Sequence, residues 1–95
     1  MTNLKAERYA SVWDAITDTP QDAANLRLRS EIMVKIAALI EENAWTQVEA
    51  AGRCAVSQPR INDLLRGRIS RFSLDALVNI AAALGQRVQV HFEAA

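Results

Sequence analysis

The chain has 95 residues, 51% of them hydrophobic and 23% charged, with eleven basic and eleven acidic side chains that leave no net charge. That length holds one domain and excludes a large active-site scaffold. A chain of this size buries only about 60 to 65% of its unfolded surface, so a homodimer is expected to supplement a modest core. Three glycines, two prolines and an ordinary apolar share argue against disorder. The longest apolar runs, Ile36 to Ile40 and Ile80 to Leu84, fall well short of the roughly 20 residues of a membrane span. With acidic residues early and no apolar block ending in a cleavage site, the expected location is cytoplasmic. A single cysteine, Cys54, and a single histidine, His91, provide neither an internal disulfide nor a metal-ligand set, and no cofactor is expected.

In chain order, residues 1–18 form an arm whose Tyr9, Val12, Trp13 and Ile16 suit either a short helix or a strand. A domain follows over residues 19–85. Thr19 is an N-cap, Pro20 fits the first helical position and Asp22 suits the positive end of the helix dipole. Leu26, Met33, Ile36 and Ile40, widened by Leu28, Ile32 and Leu39, have helical spacing. They predict a long helix ending near Asn43, with a possible interruption around Ser30. Thr46 and Glu49 form a capping box that starts a second, short helix at Gln47. Ser57 and Pro59 open a third helix over residues 57–66, which Gly67 ends. Ser73 caps a fourth helix, with Phe72 and Leu77 as a hydrophobic staple. Its expected buried stripe is Leu74, Leu77, Val78, Ala81 and Leu84, with Gly85 as its stop. Beyond Gly85, Val88, Val90 and Phe92 alternate with Gln89, His91 and Glu93, which predicts a strand within the C-terminal segment 86–95. A lone strand needs a partner, so the expected pairing is with the arm or across a dimer axis.

Charge is unevenly spread. Residues 1–50 carry five basic and eight acidic side chains, whereas residues 51–95 carry six arginines against three acids. Within 53–71, Arg53, Arg60, Arg66, Arg68 and Arg71 face only Asp63. All are arginine, whose planar fork suits bidentate contact with phosphate or guanine.

Two short helices joined by a few residues, the second rich in arginine, outline a helix-turn-helix. At about 100° per residue, Ile61, Leu64 and Leu65 of the third helix share one arc and should face the core. Pro59, Asn62, Asp63 and Arg66 lie opposite, with Arg60 at the border. Arginine can grip guanine, Asn or Gln can read adenine, and Asp can accept from cytosine. Gln58 and Arg60 sit near the helix N-terminus, the end that enters the major groove in this motif. For Asp63 an ion pair with Arg60 or Arg66 is preferred over a cytosine contact. Cys54 is read as a buried hydrophobe, His91 as a solvated polar residue, and Tyr9, Trp13 and Trp45 as core or interface anchors. No phosphate loop, nucleophile elbow or carboxylate pair suggests an enzyme.

The stretches 46–51 (TQVEAA), 56–67 (VSQPRINDLLRG) and 72–77 (FSLDAL) resemble helix-turn-helix regulators of the lambda-repressor-like (XRE/Cro) class, in particular the antitoxins that partner RelE-like toxins. The resemblance spans roughly residues 26 to 92. It implies a mainly α, five-helix domain that dimerises on operator DNA and represses its own operon in a type II toxin–antitoxin pair. It further implies that Gln47 bonds a phosphate and braces the recognition helix, that Gln58 and Arg60 read bases, and that Ser57, Arg66 and Arg68 touch phosphate. Asn62 and Asp63 complete the candidate DNA-binding set. The sequence departs from the family pattern at Ala55, where the turn usually has a left-handed glycine, and at Gly52 inside the second helix. Either would cost on the order of 1 kcal/mol. The alternatives are a free-standing regulator and a protein-interaction module with little DNA binding. For a toxin contact, residues 1–30 are the first candidate.

Overall fold

The computed structural model describes residues 19–94. Four α-helices follow one another: α1 (Pro20–Glu42), α2 (Gln47–Cys54), α3 (Gln58–Leu65) and α4 (Leu74–Ala83), with a 3-10 turn at Ile69–Arg71 between the last two. The expectation of five helices therefore becomes four and a 3-10 turn over the described residues. The arm expected at 1–18 lies outside them.

Each of these four helices begins in the same way. Thr19, Thr46, Ser57 and Ser73 take an extended backbone, and each hydroxyl accepts the N–H three residues on, at 3.1, 3.1, 3.4 and 3.0 Å. These bonds satisfy donors that a helix start would otherwise leave bare. At Thr46 the box is reciprocal, because Glu49 Oε1 accepts the Thr46 N–H at 3.0 Å.

Each of the four also ends in the same way, although the sequence announces only half of these stops. Ala44, Ala55, Gly67 and Gly85 are left-handed, with φ of 53°, 57°, 72° and 74°. After each, the next residue donates back five positions: Trp45 to Ile40, Val56 to Ala51, Arg68 to Asp63, and Gln86 to Ala81. The left-handed residue itself donates three positions back. This is the Schellman motif, and it usually recruits glycine because a Cβ crowds the left-handed backbone. Ala55 thus keeps the turn geometry that its side chain disfavours, and Ala44 does the same at the end of α1.

The long α1 is the spine, packing against α4, the 3-10 turn and α3, while α2 packs on α3 and α4. Ile32, Met33, Ile36 and Ile40 meet Ala50, Ala51 and Cys54 of α2, Ile61 and Leu64 of α3, Ile69, Phe72, and Leu77 and Ile80 of α4. The helix runs unbroken through Ser30, against the expected interruption. Ser30 is buried and its hydroxyl has no hydrogen-bond partner among the described residues. In α4, Ile80 is buried where Val78 was expected, and Val78 is 37% exposed. Leu77, Ile80, Ala81 and Leu84 keep the i, i+3, i+4, i+7 rhythm, whereas Val78 lies about 100° round from Leu77.

The expected C-terminal strand is absent from this structure: residues 86–94 have no regular secondary structure, and no strand occurs among the described residues. A strand exists only by pairing, and the helices offer no sheet edge. Val88 rests against the core, while Val90 and Phe92 are exposed. No helix among the described residues is long and apolar enough to cross a membrane.

Ala44→Gly and Ala55→Gly should each stabilise the fold by up to about 1 kcal/mol by relieving left-handed strain. Gly52→Ala should do likewise, since a Cβ there meets nothing within 4 Å. In thermal unfolding each corresponds to a rise of several degrees, up to roughly 4–8 °C. Ser30→Ala should also stabilise the fold, by about 1 kcal/mol, and raise the midpoint, because it removes a buried hydroxyl that has no hydrogen-bond partner among the described residues. A lower midpoint for Ser30→Ala would show that the hydroxyl is satisfied after all.

Candidate nucleic-acid interface

An eight-residue helix cannot hold itself in water, so the aim of α3 is set by what it is tied to. Ile61 and Leu64 are 0% and 1% exposed. They fix one side of the helix in the core, each contributing about 1.5–3 kcal/mol by burial. Ser57 caps its start and the left-handed Gly67 closes its end.

The outward arc divides into two edges. On the edge nearer the 3-10 turn, Arg60 and Asp63 are engaged. The Arg60 guanidinium donates to the Arg71 carbonyl at 2.7 Å and lies 4.1 Å from the centre of the Phe72 ring. Asp63 Oδ1 accepts from both Arg68, at 3.2 Å, and Arg71, at 2.9 Å. An ion-paired Asp63 was anticipated, but Arg60 and Arg66 were named as partners. The partners come instead from beyond the helix, because Gly67 folds the chain back along α3.

The other edge is open. Gln58, Pro59 and Arg66 are exposed and Asn62 is half-buried. Exposed Gln47 begins α2, and Ser57 is exposed beside Gln58. The side chains of Gln47, Gln58, Asn62 and Arg66 make no hydrogen bond or ion pair among the described residues. Ser57 Oγ accepts the Arg60 N–H, which leaves its own proton to donate outward. The predicted set Gln47, Ser57, Gln58, Arg60, Asn62, Asp63, Arg66 and Arg68 therefore lies on or beside the helix-turn-helix, with Arg60, Asp63 and Arg68 already partnered.

Two further arginines, outside the candidate DNA-binding set, shape the site. Arg29 of α1 donates through Nη1 to the carbonyls of Ile69, at 3.3 Å, and Phe72, at 3.0 Å, while its Nε donates to Asn25 at 2.7 Å. It ties the segment after α3 to the spine. Arg71 supplies both an arginine to Asp63 and a carbonyl to Arg60. Long sequence separation hid the first, and the second was visible only as one more charge in a cluster. Arg53 lies over the Trp45 ring at 4.7 Å.

Two titrating groups have shifted. The Glu49 carboxyl is held below the ordinary glutamate range, first by the Thr46 N–H and then by the Thr46 hydroxyl, so it stays charged at the start of α2. Burial pushes the Cys54 thiol up, which favours the neutral, unreactive form. Cys54 is a packing residue, and among the described residues no cluster of His, Cys, Asp or Glu could hold a metal ion.

The comparison with known families agrees with this geometry. The model of the helix-turn-helix domain matches residues 15–93, most of the chain. The protein belongs to the helix-turn-helix domain family. No curated protein matches it. Membership in this family points to DNA binding and transcription regulation, a role that is typically non-enzymatic.

Proposed function

We propose that this helix-turn-helix protein is a sequence-specific repressor of double-stranded DNA that acts as a homodimer, each subunit placing α3 in a major groove. One observation carries the reading: α3 is anchored by Ile61 and Leu64 while the side chains of Gln58, Asn62 and Arg66, along its open edge, have no partner among the described residues. The amides of Gln58 and Asn62 match the donor and acceptor pattern of base-pair edges, and the Arg66 guanidinium suits a phosphate. Gln47 and Ser57 suit phosphate contacts beside them, and Arg68 and Arg71 add positive charge at the far end. Arg60, held against Phe72, serves first to set the pitch of α3 and reads a base only by leaving that ring.

The dimer is best supported by residues 86–94. Val90 and Phe92 are 57% and 99% exposed on a segment that has no strand partner among the described residues. Antiparallel pairing with the same segment of a second subunit would cover both and supply the strand that the alternation predicts. The resemblance to antitoxins extends the proposal to a protein that represses its own operon and binds a RelE-like toxin in the cytoplasm, with residues 1–30 as the toxin-facing region.

Binding sites selected from randomised duplex DNA test the reading. Gln58→Ala should weaken binding to the selected duplex by about 1–3 kcal/mol and leave a scrambled duplex nearly unchanged. Arg66→Ala should weaken both and flatten the salt slope by about 0.9. If the two variants behave alike, Gln58 does not read bases. Phe92→Asp should shift the protein to monomer in sedimentation equilibrium, and an unchanged dimer would remove the C-terminal pairing.

A further inference from the structure

Asp63 is an unexpected neighbour for DNA, since a carboxylate facing phosphates raises the cost of approach. Its position explains what it can do instead. The side chain is 14% exposed, and one oxygen receives Nη1 of both Arg68 and Arg71, whose side chains are 39% and 55% exposed. Those two arginines lie on the chain that Gly67 folds back, and its carbonyls are pinned by Arg29 and Arg60. The carboxylate therefore sits on a rigid helix and the guanidiniums on a fixed return segment. As a group, the three charges present a net +1 to an approaching strand, where the two arginines alone would present +2.

We infer that Asp63 is a specificity-determining positioning residue that holds Arg68 and Arg71 back from indiscriminate phosphate binding. The inference rests on the DNA-binding reading above. Affinity for arbitrary DNA comes almost entirely from phosphate neutralisation, whereas a chosen site adds base contacts that fix the register. An internal anion competes with phosphates wherever the protein lands. In a non-specific complex, freed guanidiniums would reach whichever phosphate is nearest. In the specific complex, Gln58 and Asn62 fix the register and the arginines gain only what that register offers. Removing the carboxylate should thus strengthen the wrong complexes more than the right one.

Asp63→Asn keeps the shape and removes the charge. With a selected duplex and a scrambled duplex of equal length titrated at 50 and 200 mM salt, the variant should bind the scrambled duplex more tightly at 50 mM. Its salt slope should steepen by about 0.9, the equivalent of one more phosphate, or roughly 3.5-fold over that salt range. The ratio of selected to scrambled affinity should fall about threefold or more. Asp63→Glu, with the charge retained, should keep the wild-type slope. In an Arg68→Gln/Arg71→Gln background, Asp63→Asn should no longer change the affinity ratio. An unchanged slope in Asp63→Asn, an equal loss on both duplexes, or an effect that persists without the two arginines would overturn the inference while leaving the DNA-binding reading intact. Failure of the wild-type protein to bind either duplex would instead overturn that reading, and this inference with it.

Discussion

The structure depends on the burial of Ile61 and Leu64 beneath an eight-residue helix. A helix of two turns is marginal in water, so α3 takes its conformation and its aim from the core beneath it and from the caps at its ends. Everything about the candidate interface inherits this constraint. The spine α1 supplies Ile36 and Ile40 to the same core, α4 supplies Leu77 and Ile80, and Phe72 bridges the return segment to α3. Few water-facing side chains on α3 are needed for folding, and those few lie on one edge.

That division gives the interface its character. Arginines in a basic cluster are commonly read as uniform, but here they hold different positions. Arg29 satisfies two carbonyls of the return segment, Arg60 covers an aromatic ring, Arg68 and Arg71 share a carboxylate, and the side chain of Arg66, which caps the end of α3, has no partner among the described residues. Exposed ion pairs contribute little to stability, typically below about 1 kcal/mol. The Asp63 cluster therefore matters less for holding the fold than for deciding how much charge the surface presents to a polyanion.

The helix ends show local preference overruled by tertiary structure. Ala44 and Ala55 adopt a backbone that costs them roughly 1 kcal/mol each, because the chain must reverse there for α1, α2 and α3 to share a core. The penalty is small beside the burial that the reversal permits. It also locates the motif's strain at the turn between α2 and α3, the joint that sets the angle of the candidate recognition helix. Gly52, by contrast, stands in open space, and nothing in the structure explains the absence of a side chain there.

Much of this was legible in the sequence because it is local. Thr19, Thr46, Ser57 and Ser73 mark four helix starts through bonds that span three residues, Gly67 and Gly85 mark two stops, and the spacing of Met33, Ile36 and Ile40 or of Ile61 and Leu64 assigns the buried faces. The helix-turn-helix, its core side and its polar side followed from those signals alone. What remained for the tertiary structure depended on distant partners. The left-handed Ala44 and Ala55 carry no glycine to announce them, Val78 yields its buried place to Ile80 through the exact rotation of α4, and Val88 to Phe92 cannot form a strand without an edge to pair with. Asp63 and Arg60 looked like part of one reading face because a helical projection shows direction but not neighbours. Only the fold brought Arg68, Arg71 and Phe72 against them, since a charge takes its partner from the surface that packs beside it.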